Sequence, residues 1–199
     1  KNEIYGGRIS GTSGTLLSVT KLSTTGPAND STRVAENPAV CASLDAEADN
    51  GFLVVWQADI VTPGDFQIYG RYDLEGAAAT PEIFTVSDVA GATGVNPACV
   101  YDPASGQYIV VWESIPDGAG DGSEIRGQYL APVTGEPSGL SGFLLSDMGP
   151  NNDPDFNAHT PVVGVNSSNG KFLTVWSGDD HENGRLEEEF EIFGQFYEG

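Results

Sequence analysis

Short glycine-rich segments of the chain concentrate carboxylates, the groups that bind hard cations. Ca²⁺ takes six to eight oxygen ligands, commonly from acidic loops. One segment, "DGAGDG", matches the first, fifth and sixth positions of an EF-hand loop but lacks its acidic third residue. We therefore predict Ca²⁺ as the one candidate cofactor, with a solvated acidic surface as the alternative. The candidate ligands are Asp117, Asp121, Glu124, Asp179, Asp180 and Glu182.

Catalytic motifs are missing from the sequence. It contains no G-x-S-x-G, H-E-x-x-H or C-x-x-C motif and no P-loop, and His159 and His181 are its only histidines. Paired carboxylates for glycoside hydrolysis could lie among the 29 acidic residues, but no pattern singles out a pair. The sequence therefore predicts a protein that is not an enzyme.

The two cysteines, Cys41 and Cys99, could form one disulfide. They lie in equivalent segments, "PAVC" and "PAC", one residue out of step. A shift of one residue turns a strand side chain to the opposite face. If the two segments belong to neighbouring sheets, the thiols then face each other, and we predict a disulfide. Two buried free thiols are the alternative.

Two N-x-S/T acceptor patterns occur, at Asn29 and Asn166, both in polar, turn-rich stretches. They are candidate glycosylation sites if the protein is secreted.

The charge balance excludes several classes of partner. Against 29 acidic residues there are 8 basic ones, a formal net charge of −21. Nucleic acids and anionic membranes need clusters of Lys and Arg, so neither is expected as a partner. The longest apolar run is also too short to insert across a bilayer.

The elements that carry these residues are set by a repeat. "NGFLVVWQAD", "GQYIVVWESI" and "GKFLTVWSGD" are variants of one phrase, with Trp56, Trp112 and Trp176 spaced by 56 and 64 residues. A proline-led segment precedes each phrase, and an acidic loop and an I-x-G motif follow. Sugar stacking is one use for tryptophans at a repeated position, but they end apolar strands, so we predict core packing. The I-x-G glycines indicate close backbone approach or a bulge.

Each repeat reads as four short strands, a-b-c-d, bounded by turn residues. The near-continuous apolar b-strands indicate sheets buried on both faces. The predicted fold is all-β, with three four-stranded antiparallel repeats like propeller blades and an extra N-terminal strand pair; stacked hairpins in a sandwich or solenoid are the alternative. The chain is predicted to form one domain of 199 residues, with a c-d strand pair at 1–35 and repeats at 36–95, 96–158 and 159–199, the last without its d-strand.

The pattern of a proline-led strand, F-L-V-V-W, an acidic loop and I-Y-G-[Q/R] resembles repeats of large secreted and surface proteins of bacteria and archaea, from Glu3 to Phe196. The resemblance implies propeller-like blades and an extracellular or cell-surface location, and it implies no reaction.

The uneven strand count suggests a function. "EIYGGR" at the start and "EIFGQF" at the end are the same c-strand, and the last repeat lacks the d-strand that the N-terminus carries. We predict a non-enzymatic filament or surface-layer subunit that joins copies of itself head to tail by strand exchange. The alternative is an adhesin-like or carbohydrate-binding module of a larger secreted protein, with glycans as partners. The predicted assembly residues are Ile4, Tyr5, Leu16, Leu17, Val19, Ile192 and Phe193.

Overall fold

A computed structural model describes residues 2–27, 30–43, 51–73, 82–87, 89–117, 122–132, 136–149, 153, 155–179 and 190–197. These residues form thirteen strands and no helix, so the all-β prediction is confirmed. The described residues accordingly include no helix that is long and apolar enough to span a bilayer. The strands are β1 (Tyr5–Ile9), β2 (Leu16–Lys21), β3 (Ala35–Ala42), β4 (Phe52–Ala58), β5 (Gln67–Asp73), β6 (Phe84–Thr85), β7 (Ala92–Asp102), β8 (Gln107–Pro116), β9 (Glu124–Leu130), β10 (Pro137–Leu144), β11 (Asn157–Asn166), β12 (Lys171–Asp179) and β13 (Glu191–Tyr197).

The described strands make four antiparallel sheets. The pair β1-β2 stands alone, β3 to β6 form sheet 1, β7 to β10 form sheet 2, and β11 to β13 form sheet 3. Within each sheet, neighbours in space are neighbours in sequence, as tight turns between short strands dictate. The described strands form no closed barrel or propeller, so a three-blade propeller is not confirmed.

The sheets stack face to face in chain order, and three apolar clusters fill the gaps. One joins the β1-β2 pair to sheet 1 through Ile4, Leu22 and Trp56. The second lies between sheets 1 and 2, and the third between sheets 2 and 3. Sheets 1 and 2 are thus covered on both faces, which explains the continuous apolar b-strands.

The tryptophans lie in these clusters, as predicted from their position at the end of apolar strands. Trp56, Trp112 and Trp176 are 0%, 1% and 6% exposed. Trp112 belongs to the cluster shared with sheet 1, and Trp176 to the cluster shared with sheet 2. Each tryptophan therefore packs against the preceding layer, and none is placed to stack on a ligand.

The predicted disulfide between Cys41 and Cys99 is confirmed, with a Cα–Cα distance of 5.8 Å. Cys41 pairs with Leu53 in β4, whereas Cys99 pairs with Val110 in β8, which is one position further along the repeat. This offset places both sulfurs in the gap between sheets 1 and 2. The bond joins the first strands of two adjacent sheets.

Candidate functional site

The first strand of sheets 1, 2 and 3 carries a bulge at the same place. Its register shifts between Glu36 and Ala39 in β3, between Val95 and Ala98 in β7, and between His159 and Val162 in β11. The residue before each bulge proline has a positive φ. These residues are Asn37 (50°), Asn96 (51°) and Thr160 (48°).

Backbone strain is therefore repeated three times along one line of the molecule. A residue before proline disfavours helical angles, and a left-handed non-glycine residue costs about 1–3 kcal/mol. Asparagine tolerates this region better than most residues, but a β-branched threonine is an outlier there. Strain of this kind is found at functional sites and persists only where the surroundings impose it.

The strained residues are held by the polar side chains of the residues that directly follow the first two buried tryptophans in sequence. Gln57 Oε1 accepts a hydrogen bond from the Asn96 backbone N–H at 2.8 Å. Glu113 Oε2 accepts one from the Thr160 backbone N–H at 3.3 Å. The residue after one tryptophan thus holds the strained residue of the next sheet.

Further hydrogen bonds join these groups across the sheets. Asn37 Nδ2 donates to Gln57 Oε1 at 3.0 Å and to Asn96 Oδ1 at 2.9 Å. Gln57 Nε2 donates to Glu36 Oε1 at 3.1 Å, and Asn96 Nδ2 donates to Glu113 Oε2 at 2.9 Å. We call this set the polar row; its members are Glu36, Asn37, Gln57, Asn96, Glu113, His159 and Thr160.

Glu113 is the buried centre of the polar row, with a side chain that is 5% exposed. Burial alone would raise its pKa, because a carboxylate loses hydration. Hydrogen bonds from His159, Asn96 and the Thr160 N–H outweigh this, so the pKa of Glu113 lies below its ordinary value of 4.5. The carboxylate is therefore ionised at neutral pH.

His159 forms a hydrogen-bonded pair with Glu113 and is the more exposed of the two. Its Nδ1 lies 2.8 Å from Glu113 Oε1, and its side chain is 35% exposed. The hydrogen bond to Glu113 raises the pKa of His159, against partial burial that lowers it. Because the carboxylate is an acceptor, Nδ1 carries the proton. Nε2 then takes up or releases the titrating proton, as a general acid or base must.

This pair predicts a pH dependence of stability. The pKa of His159 is raised above 6.5, so its contribution is present below pH 6.5 and is lost as pH rises through the folded value. The lowered pKa of Glu113 makes its contribution present above pH 4.5 and lost as pH falls through its folded value. Between these limits both groups are charged and the pair stabilises the fold.

The free energy of unfolding of the variant His159→Gln is therefore expected to fall less than that of the unaltered chain as the pH rises above neutral. Denaturant unfolding at about pH 5.5 and about pH 8.5 measures this. The variant His181→Gln removes the chain's other histidine and is the matched control. A slope between the two pH values that is the same in His159→Gln and in the unaltered chain would show that the pair does not contribute.

Sequence reasoning missed the polar row. It examined contiguous motifs, whereas Glu36, Glu113 and His159 come from three different strands. Two repeated features of the sequence could have indicated the row. The first is an Asn-Pro, Asn-Pro or Thr-Pro dipeptide within the first predicted strand of each repeat. The second is the polar residue that directly follows each of the first two tryptophans.

The predicted Ca²⁺ ligands are not brought together within the described residues, where no group of three metal-binding side chains occurs. Glu124 instead accepts hydrogen bonds from Ser146 Oγ and from the Met148 N–H. Asp117 is exposed and Asp179 is buried. Asp121, Asp180 and Glu182 lie outside the described residues. Calcium binding stays a prediction.

The glycosylation prediction is also untested. Asn166 is exposed at the turn between β11 and β12, and its Oδ1 accepts a hydrogen bond from Ser168 Oγ at 2.6 Å. Asn29 lies outside the described residues.

The predicted assembly residues lie at the two outer layers of the stack. In the N-terminal pair, Ile4 is buried and Tyr5 is 60% exposed. In β13, Ile192 is 77% exposed and Phe193 is half-buried. The remaining three, on β2, are also exposed: Leu16, Leu17 and Val19.

No protein family's profile matches the chain, and no curated protein matches it significantly. Among solved structures, it is similar to the endo-arabinase of Bacteroides thetaiotaomicron VPI-5482, with a TM-score of 0.49 and 16% identity over 90% of this chain and 61% of the other. It is also similar to a thermostable family-43 glycoside hydrolase, with a TM-score of 0.48 and 12% identity over 82% of this chain and 54% of the other. The chain thus spans less than two thirds of the length of either structure.

Both proteins are carbohydrate-cleaving enzymes by name, whereas the sequence predicted a protein that is not an enzyme. The prediction of a non-enzymatic, strand-exchanging subunit was wrong. In this chain β2 pairs with β1, and Ile4 and Leu22 pack on the chain's own sheet 1. The N-terminal strands already have partners within the chain. The prediction that the chain is not an enzyme rested on missing motifs, which carboxylates from separate strands do not need.

Proposed function

We propose that this chain is a carbohydrate-active module that binds a neutral glycan along the polar row. The supporting observation is a line of hydrogen-bonding side chains on three adjacent first strands. Glu36, Asn96 and His159 are partly exposed, and Asn37 and Thr160 are exposed. Amide, carboxylate, hydroxyl and imidazole groups match the paired donors and acceptors of sugar hydroxyls.

The scaffold suits such a role because the row is pre-organised. Hydrogen bonds within the row already hold the side chains of Asn37, Asn96 and His159, so fewer side-chain rotamers are left to freeze on binding. The net charge of −21 repels anionic polysaccharides, so the proposed ligand is uncharged.

Hydrolysis of a glycosidic bond is the second candidate function. Such a reaction needs an acid to protonate the leaving oxygen and a carboxylate that acts as base or nucleophile. In the polar row, protonated His159 is the partly exposed acid, oriented by ionised Glu113. Glu36, hydrogen-bonded through Gln57 to the rest of the row, is the partly exposed carboxylate.

The proposed arrangement of the sheets is blade-like, with the first strands innermost. β7 lies beside both β3 and β11, and hydrogen bonds link the bulge residues Asn37, Asn96 and Thr160, directly or through Glu113. A secreted setting belongs to the same proposal, and the disulfide between Cys41 and Cys99 is compatible with it.

Binding to a panel of neutral polysaccharides, with arabinan, xylan, galactan and glucan as probes, tests the proposal. We expect retention of the chain by at least one of them in affinity electrophoresis. Asn37→Ala together with Thr160→Val should weaken it roughly ten-fold, because each exposed polar group contributes about one hydrogen bond. Release of reducing ends by the same samples tests hydrolysis.

The matched control is Asn166→Ala, which removes an exposed asparagine at a turn away from the row. If this variant weakens retention as much as the row variant does, the polar row is not the site. Failure of every neutral glycan to bind would overturn the proposal as a whole.

A further inference from the structure

One position of the repeat lies beside the polar row. It stands two residues before the isoleucine of the I-x-G motif, and in sheets 1, 2 and 3 it is occupied by Phe66, Ser123 and Phe190. In the first two of these sheets, its backbone carbonyl accepts a hydrogen bond from the first strand of the next sheet. The Gly94 N–H donates to the Phe66 carbonyl, and the Ala158 N–H donates to the Ser123 carbonyl, both at 2.8 Å. Phe66 and Ser123 are therefore joined to the bulged ends of β7 and β11.

Ser123 shows which part of the row this position faces. Its Oγ lies 3.4 Å from Nδ1 of His159, the residue that directly precedes the strained residue of β11. The matching hydrogen bond in sheet 1 places Phe66 next to Val95, which directly precedes the strained Asn96 of β7. Phe66 therefore lies beside the middle of the polar row.

Phe66 is held in place by hydrogen bonds on both sides of it. The Nε2 of the following residue, Gln67, donates to the Ala92 carbonyl at 2.9 Å and to Asp65 Oδ1 at 3.2 Å. Together with the hydrogen bond from Gly94, these contacts fasten the segment to β7. Phe66 is partly exposed, and the three apolar clusters found among the described residues do not include it. Its side chain is therefore available to a ligand without a change of the core.

A second exposed phenyl ring lies at the other end of the row. Phe190 is 55% exposed, and its ring centroid is 5.8 Å from that of His159, with an angle of 48° between the two planes. The His159 ring is itself fixed by the hydrogen bond between its Nδ1 and Glu113. The row thus combines hydrogen-bonding groups along its length with one phenyl ring beside its middle and another beside its His159 end.

A neutral sugar presents two kinds of surface, with hydroxyl groups at the rim of the ring and C–H groups on its faces. The polar row supplies partners for the hydroxyl groups. Phenyl rings supply the complementary apolar contact, because each offers a large flat surface on a side chain with few rotatable bonds. Such a surface suits a six-membered sugar ring with equatorial hydroxyls, whose faces carry hydrogens. A five-membered ring is puckered and carries hydroxyls on its faces, so its contact with a flat ring is poorer.

We propose that Phe66 and Phe190 are stacking platforms for sugar rings of the bound glycan. By this contact they select chains of pyranoses with equatorial hydroxyls, such as xylan and β-glucan, over furanose chains such as arabinan. Phe66 receives a sugar ring beside Asn96, and Phe190 receives one beside His159. The inference rests on the glycan site proposed above and adds to it the residues that determine specificity.

The test compares the variants Phe66→Ala and Phe190→Ala in affinity electrophoresis with xylan, β-glucan and arabinan. Each should weaken retention by xylan or β-glucan at least roughly ten-fold, since the sugar no longer buries a phenyl ring. Phe66→Tyr and Phe190→Tyr keep the flat ring and should retain the native affinity. The matched control is Phe52→Ala, which removes a phenyl ring that is 46% exposed at the opposite end of β4 from Gln57 and should change nothing.

Proton NMR of a bound xylan or β-glucan oligosaccharide reports the stacking itself. The C–H signals of the sugar should move upfield on binding, because those protons lie over the faces of phenyl rings. This movement should be lost in the double variant Phe66→Ala with Phe190→Ala. A loss of affinity caused only by altered folding would not be restored by the tyrosine variants and would not depend on the glycan.

The outcomes separate this inference from the proposed function. Retention that survives both alanine substitutions but is weakened by Asn37→Ala with Thr160→Val would overturn the platforms and leave the glycan site in place. Tighter retention by arabinan than by xylan and β-glucan would overturn the assigned specificity in the same way, as would equal weakening by Phe52→Ala. A chain that no neutral glycan retains would overturn the proposed function and the platforms together.

Discussion

Replacing Cys41 and Cys99 together by alanine is expected to lower the free energy of unfolding by about 4 kcal/mol. The disulfide spans 58 residues, and closing a loop of that length removes about this much from the unfolded chain's conformational entropy. The bond also lies in the cluster between sheets 1 and 2, so its loss loosens their packing. The melting temperature should fall by roughly 10 °C for a chain of this size.

Calorimetry of the variant and of the reduced, alkylated native chain measures this effect. Both should melt at a similar, lowered temperature. The control is the double variant treated with reductant, which should not change further. A melting temperature of the double variant within about 2 °C of the native value would contradict the assigned stabilisation.

Replacing Glu113 by alanine is expected to lower the free energy of unfolding by about 2–3 kcal/mol. The change leaves the Asn96 amide and the Thr160 N–H without their acceptor, and each unsatisfied group costs about 1–3 kcal/mol. It also removes the counterion of His159. The strain at Thr160 is then no longer opposed by the hydrogen bond that holds it.

The chain supplies its own control for this prediction. Gln57 follows Trp56 as Glu113 follows Trp112, and its amide oxygen accepts the equivalent backbone hydrogen bond. Glu113→Gln should therefore cost about 1 kcal/mol, because Gln keeps an acceptor for the Asn96 amide and the Thr160 N–H and loses the charge and the acceptor of the His159 N–H. Denaturant unfolding of both variants at neutral pH compares them. Equal destabilisation by Ala and Gln would show that the charge of Glu113, and not its role as hydrogen-bond acceptor, dominates.

Sequence reasoning reached the strands and the core because those features are local and periodic. The phrase around each tryptophan specified a buried b-strand, and the offset of Cys41 against Cys99 specified a bond between adjacent sheets. Both depend only on side-chain alternation along a strand. The thirteen strands followed from the order of the repeats.

The polar row depends on long-range geometry that periodicity does not carry. The bulges at Asn37, Asn96 and Thr160 re-aim side chains out of the alternating pattern. Glu113 meets His159 only because sheets 2 and 3 stack, 46 residues apart in sequence. Strand exchange was wrongly predicted because counting strands does not reveal that the N-terminal strand pair packs on the chain's own sheet 1 through Ile4 and Leu22.

The most direct test of the central claim maps a bound glycan by NMR. With the neutral oligosaccharide that binds best, the side-chain amide signals of Asn37 and Asn96 and the ring signals of His159 should shift together, with one dissociation constant. The amide signals of Asn166, at the turn between β11 and β12, should not move. Shifts confined to residues outside the polar row would contradict the account.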